Sequence, residues 1–414
     1  MGIGKKPAAT GPLGGQGAGG QPQEIPQWEA PTDVEWRLYQ AKAQGDWDAY
    51  LDVLASTDLY HAMPRGIAEA NPGKVLASVY WEPRTRTECY AYFTPGMLSA
   101  PAPDPVFYMD DLATIVEYWP RPNAWLAINP GTPCEAFFPA TPADRDLWAA
   151  HAREAPEPPP MSIRTLRIGG PVQGPVAHGM ACAALLFVKN NEIWNSLGHG
   201  KGFVRERKRL ERWWGVTSRE KWFACQTDLL QAEMTSSAWE FVLSIRRGLA
   251  RRYGGAVDAP YWRGATERVL RHNAERAGSD PDGPEADAEV RLLHQLIGRI
   301  TRYESRFRAD GILADGKQVR SVLAWDYGRA SGMARWGLAS GYCDLAEAES
   351  AIVRAGRNSQ DVYRSWEDFA AGYILGRCLH FDEEEFGTWY QESVEAHGML
   401  TTDPGSPWVN IPWA

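Results

Sequence analysis

The spacing of apolar residues changes character along the chain. Trp36, Leu38, Tyr39, Trp47, Tyr50, Leu51 and Leu54 recur at helical intervals with a break near Gly45, which predicts an opening helical segment in two pieces. β signals follow. VLASVYW (75–81) and ECYAYFT (88–94) read as two strands of a hairpin turned by EPRTRT. MDDLATIVEYW (109–119) returns to helical spacing, and WLAINPG (125–131) reads as a buried strand stopped by an Asn-Pro-Gly turn. Helices and strands intermixed in this way predict an α+β domain over residues 31–150.

Beyond residue 179 the period is helical throughout. FVRERKRLERWWGVTSREKWFACQTDLLQAEM reads as a helix, a glycine stop and a second helix opened by a capping box of Thr217 and Glu220. MARWGLASGYCDLAEAES repeats that grammar: Gly337 and Gly341 punctuate, and Asp344 with Glu347 opens the next helix. YILGRCLHFDEEEFGTWYQE closes a third unit. The expected fold is therefore multidomain, an N-terminal α+β domain followed by an all-α domain over 179–397. HAREAPEPPP and IGGPVQGPVAHG mark a Pro/Gly-rich linker over 151–178. Residues 1–30 are too poor in large apolar side chains to fold alone. Residues 398–414 form a C-terminal tail expected to dock through Trp408 and Trp413.

Composition narrows the function classes. The chain has 414 residues, 44% of them hydrophobic, enough for two or three domains with sizeable cores. Nineteen Trp point to aromatic-rich cores. A net charge of −9 argues against a general nucleic-acid binder. Cys89, Cys134, Cys182, Cys225, Cys343 and Cys378 fit neither a zinc ribbon nor a disulfide framework, so reduced thiols in a cytoplasmic protein are expected. The histidines show no metal-binding spacing, and neither a metal nor a cofactor is expected. The Gly-rich N-terminus does not read as a signal peptide, and Lys6 stands where a myristoylation motif needs Ser or Thr. MACAALLFV (180–188) is the most apolar run, far shorter than a membrane span, so no membrane partner is expected.

Two resemblances emerge from the motifs. AYFTPGML, the following helix ending near EYWP, and WLAINPGTP resemble the SseB (enhanced serine sensitivity) N-terminal domain over about residues 45–145. RWWGV, AWDYGRASGMARWGLASGYCDLAEA and SWEDFAAGYILGR resemble, more closely, the bacterial family known as domain of unknown function 1266. They stand in the expected order across roughly 190–390. That resemblance implies an all-α fold and supplies no activity or catalytic residues.

The sharpest chemical candidates lie in two helices. At about 100° per residue, Asp326 and Arg329 share a face with Trp325 and Trp336, leaving Ser331 and Arg335 on a narrow polar arc. In the second helix Trp366, Tyr373 and Arg377 line one face, with Glu367 at its edge. Both carry Gly-x-x-x-Gly, as Gly328/Gly332 and Gly372/Gly376. An interior glycine costs about 1 kcal/mol against alanine, and close helix crossing gives such glycines a reason. The expected result is one polar-aromatic cluster of Trp325, Asp326, Arg329, Trp336, Trp366, Glu367, Tyr373 and Arg377. It has three readings: a buried ion-pair network that fixes packing, a pocket whose arginines bind an anionic group, or a catalytic site with Asp326 or Glu367 as general base.

Residues 201–252 hold twelve Lys and Arg against six Asp and Glu. This segment reads as a solvated helix face with intrahelical pairs, or as a phosphate-binding surface. His199, in LGHGKG, sits in a Gly-rich loop that lacks the P-loop ending. Taken together, these features lead us to expect a non-enzymatic cytoplasmic binding or regulatory protein with a protein partner. The alternative is an enzyme or small-ligand binder that acts on an anionic group at the Arg/aromatic cluster.

Overall fold

The computed structural model describes residues 28–71, 79–99, 105–156, 161–198 and 203–413. Most of the N-terminal tail, residues 75–78 of the first strand run, the PPP run and His199 lie outside them. The break expected near Gly45 is a turn between two helices. Thr32 caps α1 (Asp33–Gln44), and Gly45 closes it in the left-handed conformation at φ 70°. Asp46 then caps α2 (Trp47–Ala55). The chain continues through β1 (Leu59–Pro64), α3 (Arg65–Ala70), β2 (Val79–Glu82), β3 (Thr87–Tyr92), β4 (Pro105–Asp110), α4 (Leu112–Glu117), β5 (Trp125–Ile128), β6 (Ala136–Pro139) and α5 (Pro142–Glu154).

A four-stranded sheet runs β2-β3-β5-β6, with β3 and β5 parallel and the outer pairs antiparallel. The expected hairpin is the β2–β3 pair. A second sheet, β1 with β4, was not expected. The Tyr60 and Phe93 backbones exchange hydrogen bonds (2.8 and 2.7 Å) and join β1 to the chain just past β3. Leu38, Tyr50 and Leu54 from the helices meet Tyr90, Tyr92, Leu126, Ile128 and Trp148 in one core.

One buried polar knot sets this half. Glu35 of α1 is fully buried, and its carboxylate accepts from the Gly96 amide (3.0 Å) and from the Thr94 and Thr32 hydroxyls. Asn129 accepts from the Thr94 amide (2.9 Å) and donates to its hydroxyl (3.0 Å). The TPG and NPG turns therefore meet. A Cβ on Gly96 would overlap the Glu35 carboxylate.

The segment 151–178 holds the last turn of α5 and the start of α6 (Gly174–Ala181). Between them, residues 161–168 bond to both halves. The Arg167 amide donates to Leu98 (2.9 Å), and the Trp194 amide donates to Arg164 (2.9 Å). The buried Arg164 guanidinium reaches Asp58 and Tyr60 on one side and the Asn191 carbonyl (2.8 Å) on the other. The Arg164 guanidinium is thus a direct physical tie between the halves.

The remainder is helical: α7 (Ala184–Lys189), α8 (Phe203–Trp214), α9 (Arg219–Gln231), α10 (Ser237–Tyr253), α11 (Ala259–Arg276), α12 (Pro284–Ala309), α13 (Ala324–Ala339), α14 (Leu345–Val362), α15 (Trp366–Phe381), α16 (Thr388–Thr402) and α17 (Pro407–Asn410). The Asp344–Glu347 capping box forms. The expected Thr217 cap is displaced by one residue: Ser218 caps α9 and accepts from the Lys221 amide. Gly337 does not punctuate. It lies inside α13 against the Trp222 indole, and Gly341 alone takes the left-handed turn at φ 68°.

The C-terminal segment closes over an aromatic cluster. Trp408 donates to the Ala181 carbonyl (3.0 Å) and stacks on Trp366 (5.6 Å), while Trp413 meets Trp366 edge-on (4.8 Å). His178 packs on Trp366 and Trp413, and His397 lies edge-on to Trp408. Burial lowers the pKa of both histidines, that of His397 to about 4. The unfolded chain binds a proton at each near pH 6.5, so the folded state holds fewer protons between pH 4 and 6.5. Stability is therefore full above pH 6.5 and falls as the pH drops toward 4. Thermal unfolding across pH 7 to 4 should show a melting temperature that falls less in His397→Gln than in the parent. The difference should approach about 3 kcal/mol near pH 4, and parallel curves would refute it.

Candidate functional site

α13 is enclosed on every side. All its residues except Arg329 are buried, which matches a helix apolar around its circumference. Close approach to α15 occurs at two glycines. A Cβ on Gly328 would stand 2.7 Å from the Tyr373 ring and 2.8 Å from the Cys182 carbonyl, and one on Gly376 would stand 2.8 Å from Trp325 Cβ. The other two glycines face elsewhere. Gly332 meets Leu186 of α7, and Gly372 meets the Ser321 carbonyl and Tyr363.

The acidic centre of the cluster is Asp326, fully buried. Its Oδ1 pairs with Arg329, and its Oδ2 accepts from the Met234 (3.1 Å) and Thr235 (2.8 Å) amides. The Arg329 guanidinium lies 3.5 Å over the Trp325 ring and 5.6 Å over Trp214. Burial pushes its pKa down, and Asp326 opposes that shift. Arg377 stands 3.4 Å from Glu392, which also pairs with Lys189, and lies 4.9 Å over Trp389. Tyr373 couples the two arginines: burial raises its phenol pKa, and Arg377 and then Arg329 pull it back.

Trp325, Asp326, Arg329, Tyr373 and Arg377 are thus neighbours, and the remaining three candidates are not. The Trp336 indole donates to Glu192 (3.2 Å). Trp366 belongs to the C-terminal aromatic cluster, donating to the Ile411 carbonyl (2.8 Å). Glu367 is exposed in the first turn of α15. The reason is the helical rise. Trp325 and Trp336, like Trp366 and Arg377, share an angle but stand roughly 16 Å apart along the axis.

Arg335 corrects the reading of a polar arc, since it and Ser331 are both fully buried. The Arg335 guanidinium lies 3.8 Å over Phe187 and donates to the carbonyls of Trp194 (3.1 Å) and Ile193 (2.5 Å). Burial lowers its pKa to about 10. Beside it, Glu192 pairs with Arg209 (2.7 Å), which also pairs with Glu206 (2.6 Å) and lies 4.9 Å over Trp336. No spacing signal marks Glu192 in the sequence. On α8, Arg205, Lys208 and Arg212 face solvent and Arg207 donates to the Ser340 carbonyl (2.8 Å), whereas Glu206 and Arg209 turn inward.

Around Asp326 the arrangement neutralises buried charge. Asp326 is sealed from solvent with both oxygens engaged, and Glu367 is remote from it. Among the described residues no group of His, Cys, Asp and Glu is arranged to hold a metal. No helix among them is long and apolar enough to cross a membrane.

Residues 209–413 match the model of a family described as a protein of unknown function (DUF1266). The matched span runs from within α8 to the docked C-terminal segment and contains all eight candidates. No curated protein and no solved structure matches the chain.

The glycine contacts generate a ranked expectation. At Gly328 the obstacles are an aromatic ring and a backbone carbonyl, which cannot yield. At Gly332 the nearest obstacle is the tip of a leucine side chain, 2.9 Å away. Overpacking of about 1–3 kcal/mol should therefore outweigh the roughly 1 kcal/mol helix gain in Gly328→Ala but not in Gly332→Ala. Chemical denaturation of the two variants should place Gly328→Ala below the parent and below Gly332→Ala. The reverse order would remove the close crossing from the account.

Proposed function

We propose that this chain is a non-enzymatic cytoplasmic binding or regulatory protein, an SseB-like module joined to a helical module, and that its partner is a protein. The reading rests on where the aromatics lie. Trp36 and Tyr39 stack on the outer face of α1 (5.9 Å) and are 41% and 38% exposed, and Trp28 adds a third ring 5.2 Å from Tyr39. Large aromatics at a surface are the residue types that dominate protein interfaces. The sealed state of Asp326 supports the same reading, because it leaves that carboxylate no access to a substrate. Cross-linked capture from native lysate with the full chain should recover a reproducible partner. A Trp36→Ala/Tyr39→Ala variant of unchanged circular dichroism should lose it at least tenfold. Retention of every partner by that variant would refute the assignment of this face.

A second reading, recognition of an anionic group by a small-ligand binder or enzyme, has one specific support. Lys189 and Arg377 share the single carboxylate of Glu392, which leaves one positive charge beside Trp389 and Phe381, both more than 40% exposed. Arg suits carboxylate or phosphate oxygens. Phosphate or succinate should then quench tryptophan fluorescence saturably in the parent and at least tenfold more weakly in Arg377→Gln. A linear, non-saturating response in both would dismiss it.

A further inference from the structure

Two clefts lie on the helical half, the second of them backing onto the turn that Asp326 holds. One, about 730 Å³, opens between the start of α10, the end of α11 and the start of α12. The other, about 700 Å³, follows the turn between α9 and α10. They share Ser237 and Phe241, so the two clefts adjoin along α10 and together make up a groove. Phe241, Leu270 and Leu293 give it an apolar floor.

The rim of the groove carries one sign of charge. Glu233, Asp280, Glu285 and Glu289 line it, all exposed and, among the described residues, in no ion pair. Glu240 lines it too, but is matched by Arg247 (2.6 Å) and the Ser321 hydroxyl (2.7 Å). No Lys or Arg is among the described residues that line either cleft. A second observation is independent of the acids. Thr235, which lines the groove and is 5% exposed, has a hydroxyl with no hydrogen-bond partner. Buried hydroxyls are ordinarily partnered. The Thr235 amide is held by Asp326, so this wall is fixed from behind.

We propose that this groove receives a basic amphipathic helix of a partner protein. Apolar side chains of the helix would cover Phe241, Leu270 and Leu293, and its Lys or Arg side chains would meet the unpaired carboxylates. This is the helix-in-groove mode, in which apolar anchors supply affinity and rim charges supply selection. The proposal rests on the reading of the chain as a binding protein and uses a surface separate from α1.

The test is fluorescence anisotropy with the full chain at about 150 mM salt, where long-range attraction is screened. The probe is a labelled 18-residue helix with Leu on one face and Lys on the other. Its controls are a twin with Glu for Lys and a twin with Ser for Leu. The Lys/Leu helix should bind the parent at least tenfold more tightly than either twin. Glu285→Lys/Glu289→Lys, both exposed and changed together, should lose at least tenfold with unchanged circular dichroism. Equal binding by either twin, or an unaffected double variant, overturns the proposal. A dimer of the parent in sedimentation that this variant dissolves would assign the groove to a second copy and also overturn it. If the helix fails while the α1 variant still loses its captured partner, this proposal falls and the binding reading survives.

Discussion

Asp326 imposes the constraint on which the helical half depends. An ionised carboxylate without solvent costs several kcal/mol unless matched by charge and hydrogen bonds. Arg329, one turn on, supplies the charge, and the amides of Met234 and Thr235 supply the remaining donors. Those amides belong to the turn between α9 and α10, so satisfying Asp326 fixes where α10 begins. α10 in turn carries Arg246, which meets Glu304 of α12 in a buried bidentate pair (2.7 and 3.0 Å). The burial of one carboxylate in α13 therefore propagates through α10 to α12, the longest helix among the described residues.

The same device recurs wherever a loop must be placed. Glu304 accepts from the Val319 amide (2.7 Å) while Arg246 donates to the Val319 carbonyl (2.7 Å), clamping the chain that leads into α13. Asp382 accepts from the Phe386 and Gly387 amides (3.0 Å each) and from the Tyr303 hydroxyl (2.9 Å), holding the turn into α16. Glu35 does this for the TPG turn, and Arg335 for the carbonyls of residues 193 and 194. In each case a buried charge is joined to the main chain of a loop that has no ladder of its own. Apolar packing alone would leave those loops interchangeable among several positions, because it is non-directional. Charge with hydrogen-bond geometry selects one.

Secondary structure was legible in the sequence where local chemistry decides it. The Gly45 break, the β2–β3 hairpin, the Asp344–Glu347 box and the run of helices all follow from period, turn residues and caps. β1 was not legible, because Leu59 to Met63 are all buried and so show no alternation. Five of the eight candidate residues were legible as one group for a related reason. Helical angle places Asp326 beside Arg329, and Gly328 against α15, since both are local in sequence or set by a shared face. Angle carries no axial information, which is why Trp336 and Trp366 were grouped with residues roughly 16 Å away. Arg335 was misplaced because a charged residue on a helix face ordinarily signals solvent. Here the carbonyls that receive it come from residues 193 and 194, far away in the chain.

The division between matched and unmatched charge bears on where function lies. The stretch AWDYGRASGMARWGLASGYC, which carries the clearest resemblance, is almost wholly interior, and its charged groups meet carboxylate, amide or carbonyl partners within the fold. Residues with those duties are constrained by packing whatever the protein does, so that stretch reports the fold. Function needs free energy left unspent in the isolated chain. On the helical half the groove beside α10 is one such place, where carboxylates stand without cations over an apolar floor and a buried hydroxyl lacks a partner. The Asp326 network forms the back of that groove through the Thr235 amide, so the residues that define the fold also hold the surface that the fold leaves unsatisfied.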